Sequence, residues 1–311
     1  MSSPTFSIIV PVHNVEGFVK KTLLSVKNQT LSPNEVIIIN DGSKDNSINI
    51  IKKFKKLKGW KIFQTKNQGL GLTRNFGISL AKSEYIYFLD SDDIIEKDFL
   101  YKIRKLVKKY NKPDMILFSG KTFSLSKKKY KKINLKFTIK GQFFKRDKLL
   151  TKLVSKKETL PQVSRYVTKK KLWTINKLKF PRGIAEDESV FFPLIALSKN
   201  TVVDTQSYFR YQINRPGSIS MDLVKSVHAL DYLNRIYFTL DFMKLNYDLI
   251  KFDYSAWCHN LERKSFKYIN LCLKTKNKIS WNIIIIIFFK SKSFFYLIKI
   301  FWRIVKNFFK Y

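Results

Sequence analysis

The sequence is poor in cysteine, in long apolar runs and in acid, and each shortage excludes something. Cys258 and Cys272 are the only cysteines. They stand late in the chain without partner cysteines or histidines at ligand spacing, so neither a zinc site nor a disulfide framework is expected. They read as free thiols of a reducing cytosol. The longest apolar run, Ile283 to Phe289, is closed by Lys290, far short of the roughly 18 residues that span a bilayer. Near the start, Phe6–Val10 stops at Pro11 with no basic leader ahead of it, which is too short for a secretory signal. No internal repeat is visible. The shortage of acid is the largest: 23 Asp and Glu stand against 60 Lys and Arg, a formal charge of +37. A field of that sign favours anionic partners, whether nucleic acid, an acidic membrane or a phosphate-rich substrate. Lysine outnumbers arginine 50 to 10, the mark of compositional drift, but the field exists whatever its origin.

What is present is globular. Hydrophobic residues make up 45% and charged residues 27%, too apolar for a disordered chain. A length of 311 residues suits two ordinary domains or one large α/β domain with an appendage. Short apolar runs read as buried strands at Phe6–Val10, Glu35–Ile39, Lys61–Gln64, Tyr85–Leu89 and Met115–Phe118. Between them Phe18, Thr22, Leu23 and Val26 share one helical face, and Ile48, Ile51, Phe54 and Leu57 another. This alternation implies a parallel sheet with helices on both faces, with ligands gathered beyond the carboxyl ends of the strands. Residues 121–160 are basic and weakly periodic around Lys127–Lys132, and read as a solvated loop or edge hairpin. From Met221 onward the pattern is helical.

Three polar turns follow strands and should share one rim: Pro11–Asn14, Asn40–Ser43 and Asp90–Asp93. Three carboxylates in four residues repel one another unless a cation sits among them, and Mg²⁺ or Mn²⁺ commonly bridges such carboxylates to phosphate oxygens. The competing reading is a helix start, with Ser91 or Asp92 capping a helix that runs on through Ile94. Asn40–Ser43 alone is a turn signal. Gly69 and Gly71 lead into a helix beginning near Leu72, a setting that suits an approaching phosphate, with Arg74 and Asn75 in reach of the same rim. Farther on, Glu186-Asp187-Glu188 offers carboxylates from a separate segment, or an acidic helix start.

The ordered set Ser7–Glu16, Ile39–Asp45, Asn67–Gly69 with Thr73–Gly77, and Phe88–Asp93 resembles the family 2 inverting glycosyltransferases of the GT-A fold, of the bacterial surface-polysaccharide type. Ala185–Phe191 resembles that family's Glu-Asp segment, and Arg215–Ser220 its Arg/Ser segment, so the likeness runs to about residue 220. It implies a GT-A domain over 1–220, with a nucleotide-sugar half (1–120) and an acceptor half (121–220), and a helical extension over 221–311. It further implies that Pro11, Asn14, Glu16 and Asp41 hold the nucleotide, with Asp41 facing the base, and that Asn67 and Arg74 line the nucleotide and phosphate pocket. Asp90 is expected near the ribose and donor sugar, Asp92 on a Mn²⁺ or Mg²⁺ ion with Asp90 in support, and Asp187, or else Glu186, as general base. Arg215, Ser218 and Ser220 would close over the diphosphate. The chain departs from the family at Asn40, where a second Asp is common. The implied donor is a UDP-sugar and the implied acceptor a glycan or lipid-linked hydroxyl.

The tail adds a partner. After Glu262 there is no acid but twelve Lys or Arg, and Lys299, Arg303, Lys306 and Lys310 recur on one helical face of an aromatic background. Segment 279–311 is therefore expected on an anionic membrane surface, peripheral to the inner face of the cytoplasmic membrane. Its alternative is a core helix or a contact in an oligomer. A specific nucleic-acid binder would not explain clustered acids at strand ends, and a non-catalytic glycan- or membrane-binding scaffold would not need both Asp92 and Asp187.

Overall fold

The computed structural model describes residues 3–124, 135–159, 161–183, 186–213, 215, 227–275 and 278–291, together with Ser293, Tyr296 and Ile300. The chain forms two compact units, Met1–Pro216 and Gly217–Tyr311. In the first, strands β1 (Phe6–Val12), β2 (Glu35–Asp41), β3 (Trp60–Thr65) and β4 (Tyr85–Phe88) alternate with helices α1 (Val19–Lys27), α2 (Ser47–Lys52) and α3 (Leu70–Leu80). There follow β5 (Ile94–Ile95), α4 (Phe99–Lys109), β6 (Met115–Phe123), β7 (Gly141–Phe144), α5 (Leu149–Ser155), β8 (Tyr166–Lys169), α6 (Lys170–Thr174), α7 (Asp187–Leu197) and β9 (Asn200–Gln212).

Among the described residues these strands make one sheet in the order β3-β2-β1-β4-β8-β6-β9-β5, with β7 on β9. The β3-β2-β1-β4 half is parallel, and β8 runs antiparallel between β4 and β6. Every residue of β1 and β2 is buried, as expected of strands covered on both faces. One face carries Ile8, Val10, Tyr85 and Tyr87 against α1 and α4, whose buried residues Phe99, Leu100, Ile103 and Val107 follow the helical repeat. Each such side chain contributes about 1.5–3 kcal/mol by leaving water. On the other face α3 approaches β1 so closely that a Cβ at Gly77 would come within 2.4 Å of Ile9.

Two expectations change. No helix runs through Ile94: the chain after Asp93 pairs as β5 with Phe209 and Arg210 of β9, and the helix begins only at Phe99. A neighbouring strand edge captured this short Ile-Ile run before a helix could start. Nor is 121–160 just a loop or edge hairpin, since β6 extends through Phe123, β7 pairs with Asn200–Val203 and α5 buries Leu149, Leu150 and Leu153. The lysine run Lys127–Lys132 lies outside the described residues.

The second unit holds α8 (Val227–Leu245), α9 (Tyr247–Ile250), α10 (Tyr254–Thr275) and α11 (Trp281–Ser291). Phe242 of α8 stacks on Trp257 of α10, with centroids 5.2 Å apart, and the buried Lys264 Nζ donates to Thr239 Oγ1 at 2.7 Å. No described helix is long and apolar enough to cross a membrane.

Candidate active site

The loops after β1 and β2 are laced together backbone to side chain. Lys44 N donates to Asn14 Oδ1 (2.8 Å) and Asn14 N to Ser43 Oγ (3.2 Å). Asn46 N donates to Glu16 Oε2 (2.8 Å) and Glu16 N to Asp45 Oδ2 (2.9 Å). Asn14 occupies the left-handed region at φ 49, which asparagine tolerates better than most residues. Asn14 and Glu16 thus shape the pocket by holding two loops in register. Pro11 is buried in β1 beyond Ile9, the last residue paired with β4, so its missing N–H breaks no bond on that side.

Asp41 ends β2 and is buried. Its carboxylate accepts from Thr65 Oγ1 (2.8 Å), Gln68 N (2.9 Å) and Gly69 N (2.9 Å). Burial pushes that carboxyl up, but the donors outweigh it and leave the group below its ordinary value. Asn67, in the same loop, is exposed and lies over Gly42, where any Cβ would meet Asn67 N at 2.8 Å.

The acids of Asp90–Asp93 divide by role. Asp93 is fully buried, accepting from Gln212 N and Ser164 Oγ, both at 3.0 Å. It ties the rim to β9 and to the turn before β8, and burial raises its carboxyl well above the ordinary range. It is a cross-link between strands, and no helix follows for it to cap. Asp92 Oδ2 accepts from Arg215 Nε at 2.7 Å. Burial raises this carboxyl too, Arg215 opposes the rise and Asp90 adds to it. Asp90 accepts from Arg74 Nη2 at 2.5 Å.

Arg74 joins motifs that are far apart in sequence. It is buried, and its second Nη donates to Glu186. Burial disfavours its charge, but Asp90, Glu186 and Asp187 more than restore it and raise the guanidinium above its usual value. The bridge holds the start of α7 against the rim. Gly71 permits the approach, since a Cβ there would lie 2.3 Å from Pro181 O and 3.1 Å from Glu186 Cγ. Asn75 fastens the same segment by a reciprocal pair of bonds to the Phe180 backbone, each 2.9 Å. With Glu186 engaged by Arg74, Asp187 is the acid left to face the rim. Burial raises its carboxyl to about 8, Glu186, Glu188 and Asp90 add to the rise, and Arg74 opposes it.

The site therefore gathers Asp90, Asp92, Arg74, Glu186, Asp187 and Arg215, with Asp41 and Asn67 along the same sheet edge. Ser218 and Ser220 lie outside the described residues. No group of three or more His, Cys, Asp or Glu is poised around one point among the described residues. Two carboxylates on a buried, acid-crowded rim still suit Mg²⁺ or Mn²⁺, which take oxygen ligands and let substrate phosphates complete the shell. Ser164, Gln212 and Thr65 carried no sequence signal, because each matters only through a partner brought near by the fold.

The family model for Glycosyl transferase family 2 matches residues 7–168, just over half of the chain. The chain belongs to this family. It is 44% identical over 100 residues to the Putative glycosyltransferase EpsH of Bacillus subtilis, covering 32% of this chain and 29% of that protein. It is 30% identical over 218 residues to the Poly(ribitol-phosphate) beta-N-acetylglucosaminyltransferase TarP of Staphylococcus aureus (67% and 62%). It is 28% identical over 298 residues to the Cholesterol galactosyltransferase of Borreliella burgdorferi (89% and 77%). The match thus spans less than two thirds of EpsH and of TarP. The crystal structure of S. aureus TarS 1–349 in complex with UDP-GlcNAc superposes with a TM-score of 0.61 at 19% identity, covering 87% of this chain and 84% of that one. The architecture is thereby GT-A, a mostly parallel α/β sheet followed by a helical region.

Proposed function

We propose that this family 2 member is an inverting glycosyltransferase that moves a sugar from a UDP-sugar to a hydroxyl of a lipid-linked or cell-surface glycan. The observation that carries the reading is Asp187, a carboxyl with raised proton affinity held beside the acidic rim by the Arg74 bridge to Asp90 and Glu186. A general base works best with a pKa near the operating pH, and burial among acids provides that. The acceptor oxygen forms its bond to the anomeric carbon as its proton passes to Asp187, while the bond to the diphosphate oxygen breaks and the nucleoside diphosphate departs. One displacement inverts the centre. Asp92, with Asp90, would hold the divalent cation, which neutralises the leaving diphosphate when bound. Arg215, Ser218 and Ser220 would turn toward the same phosphates, Asp41 would face the base, and Asn67 would line the pocket. Two relatives are named for poly(ribitol-phosphate) and for cholesterol, which supports a polymer or lipid hydroxyl as the acceptor.

A screen of nucleotide sugars for Mn²⁺- or Mg²⁺-dependent release of the nucleoside diphosphate tests the reading. A UDP-sugar should turn over, and Asp92→Asn should lower the rate by about 10²-fold or more. If no nucleotide sugar turns over, or if Asp92→Asn is as active as the native chain, the reading fails.

We also propose a peripheral place on the inner face of the cytoplasmic membrane. Helix α11 exposes Trp281, Ile285, Ile286 and Phe289 along one face while burying Ile283, Ile284 and Ile287. Lys278 precedes it, Lys290 lies in its last turn, and no acid occurs after Glu262. An apolar face edged by lysine suits the interface of an anionic bilayer. The basic face Lys299, Arg303, Lys306 and Lys310 lies outside the described residues. Removing residues 279–311 should release the protein from anionic vesicles in a flotation assay, and equal flotation of both forms would end this proposal.

A further inference from the structure

Tyr166 opens β8, paired with Leu117 of β6, and its neighbour Val167 pairs with Tyr87 of β4. Alternation along the strand puts Val167 with Tyr87 on the α1/α4 face and turns Tyr166 to the opposite face, the side of Phe88. That is the side on which Phe180 meets both Phe88 and the Arg74 guanidinium. The Tyr166 ring packs against Phe191, centroids 6.0 Å apart. Phe191 is one turn along α7 from Asp187, on the same face of that helix. The phenol therefore lies beneath the first turn of α7, on the strand next to β4, whose last residue, Phe88, is two before Asp90.

Its hydroxyl is buried, and it has no hydrogen-bond partner among the described residues. A buried tyrosine hydroxyl normally has one, because leaving it unmade is costly. The groups around it are those of the site. Burial holds the phenol proton far above its ordinary range, and Asp187, Glu186 and Asp90 reinforce this while Arg74 opposes it. Phenylalanine would fill the same space without the unmet group, so packing alone does not account for a tyrosine here.

We propose that Tyr166 is a positioning residue for Asp187, its O–H reserved to donate to the Asp187 carboxylate when that acid is ionised. One Asp187 oxygen already accepts from Glu188 N at 2.8 Å. A second donor from below fixes the carboxylate plane and leaves a lone pair toward the acceptor. The charged groups facing Asp187 are Arg74 from α3, Asp90 from the rim, and Glu186 and Glu188 from its own segment. Arg74 is the only cation among them and is bonded to Asp90 and Glu186. This inference rests on the glycosyltransferase reading for its kinetic consequence, but not for its titration.

The test is Tyr166→Phe in the full chain, read in three ways. A hydrogen bond to a charged acceptor is strong enough to shift its titration by about one pH unit. Carbon-detected NMR should therefore show the Asp187 carboxyl titrating about one unit higher in the variant, with no substrate needed. The thermal midpoint should stay the same or rise, since an unpaired buried hydroxyl is removed. With a donor identified by the nucleotide-sugar screen, kcat should fall about tenfold at unchanged donor KM, and the acid limb of the pH–rate profile should move to higher pH. An unchanged Asp187 titration overturns the proposal, as does a kcat within about twofold of native or a kcat loss matched by a loss of stability. Failure of the native chain to use any donor would instead overturn the proposed function, and the titration would still decide the role of Tyr166.

Discussion

The two ends of the sheet both bury acids and, Asp41 apart, they treat them in opposite ways. At the amino end Glu35 accepts from Ser7 Oγ, Lys82 N and Ser83 N, and Asp114 accepts from Lys169 Nζ and Lys199 N and forms an ion pair with Lys171 Nζ at 3.4 Å. Burial raises both carboxyls, but their donors outweigh it and both end below their ordinary values. At the carboxyl end Asp92, Asp93 and Asp187 end above theirs, because burial is compounded by neighbouring acids. The amino end closes its electrostatic ledger with residues of its own. The carboxyl end leaves Asp92, Asp93 and Asp187 with raised proton affinity, a state that persists where a cation or a proton is to be received.

The sharpest way to break this comparison is Asp187→Asn. Turnover should fall by about 10²–10⁴-fold, the range of general base catalysis, measured as nucleoside diphosphate release with donor and acceptor present. Stability should move the other way. A carboxyl held near 8 when folded keeps a proton that the unfolded chain releases at about 4, so its contribution to stability declines as the pH rises between those values. The asparagine variant should lack that decline, so urea midpoints for the two proteins should diverge in its favour from pH 5 to 8, on the order of 1 kcal/mol or more at pH 8. Retained turnover would remove Asp187 as the base.

Much of this rim was legible because its parts are contiguous. Pro11–Asn14, Asn40–Ser43 and Asp90–Asp93 each follow a buried apolar run, and period alone places them at strand ends. The sign of each acid's role was not legible. Asp93 and Asp92 are neighbours, yet one is spent on Gln212 and Ser164 and the other on Arg215, contacts with residues more than seventy positions away. Arg74 looked like a phosphate ligand, and its bridge to Glu186 spans 112 positions. Tyr166 belongs to no motif. The 121–160 region misled because β7, Gly141–Phe144, is a short strand of three half-buried residues and one exposed one among lysines, with too little alternation to announce itself.

Gly71→Ala should give the next largest effect, by disturbing the rim without touching a charge. The added methyl would lie 2.3 Å from Pro181 O, so the segment leading into α7 must retreat and carry Glu186 and Asp187 with it. Displacing a catalytic group by a fraction of an ångström to an ångström lowers rates by up to about 10²-fold, and overpacking destabilises by about 1–3 kcal/mol. The expected result is a fall in kcat of about tenfold or more in a chain that still folds, and native kcat would mean that the closeness of α3 to α7 is incidental.

The smallest effect on turnover should come from the amino end, with Asp114→Asn. The substitution keeps the shape and removes the charge that faces Lys169 and Lys171, so it should cost about 1–3 kcal/mol of stability while kcat stays within about twofold of native. The pH dependence gives the finer test. Because Asp114 is held below its ordinary value when folded, the stability it contributes is present above the unfolded value of about 4 and is lost as the pH falls through the folded one. The native chain should therefore lose its advantage over the variant on acidification below about pH 4, the reverse of the alkaline divergence produced by Asp187→Asn. Asp114 at the amino end of the sheet and Asp187 at the start of α7 would then respond to pH with opposite signs, and the sign would separate the acid that serves the fold from the acid held ready for a proton.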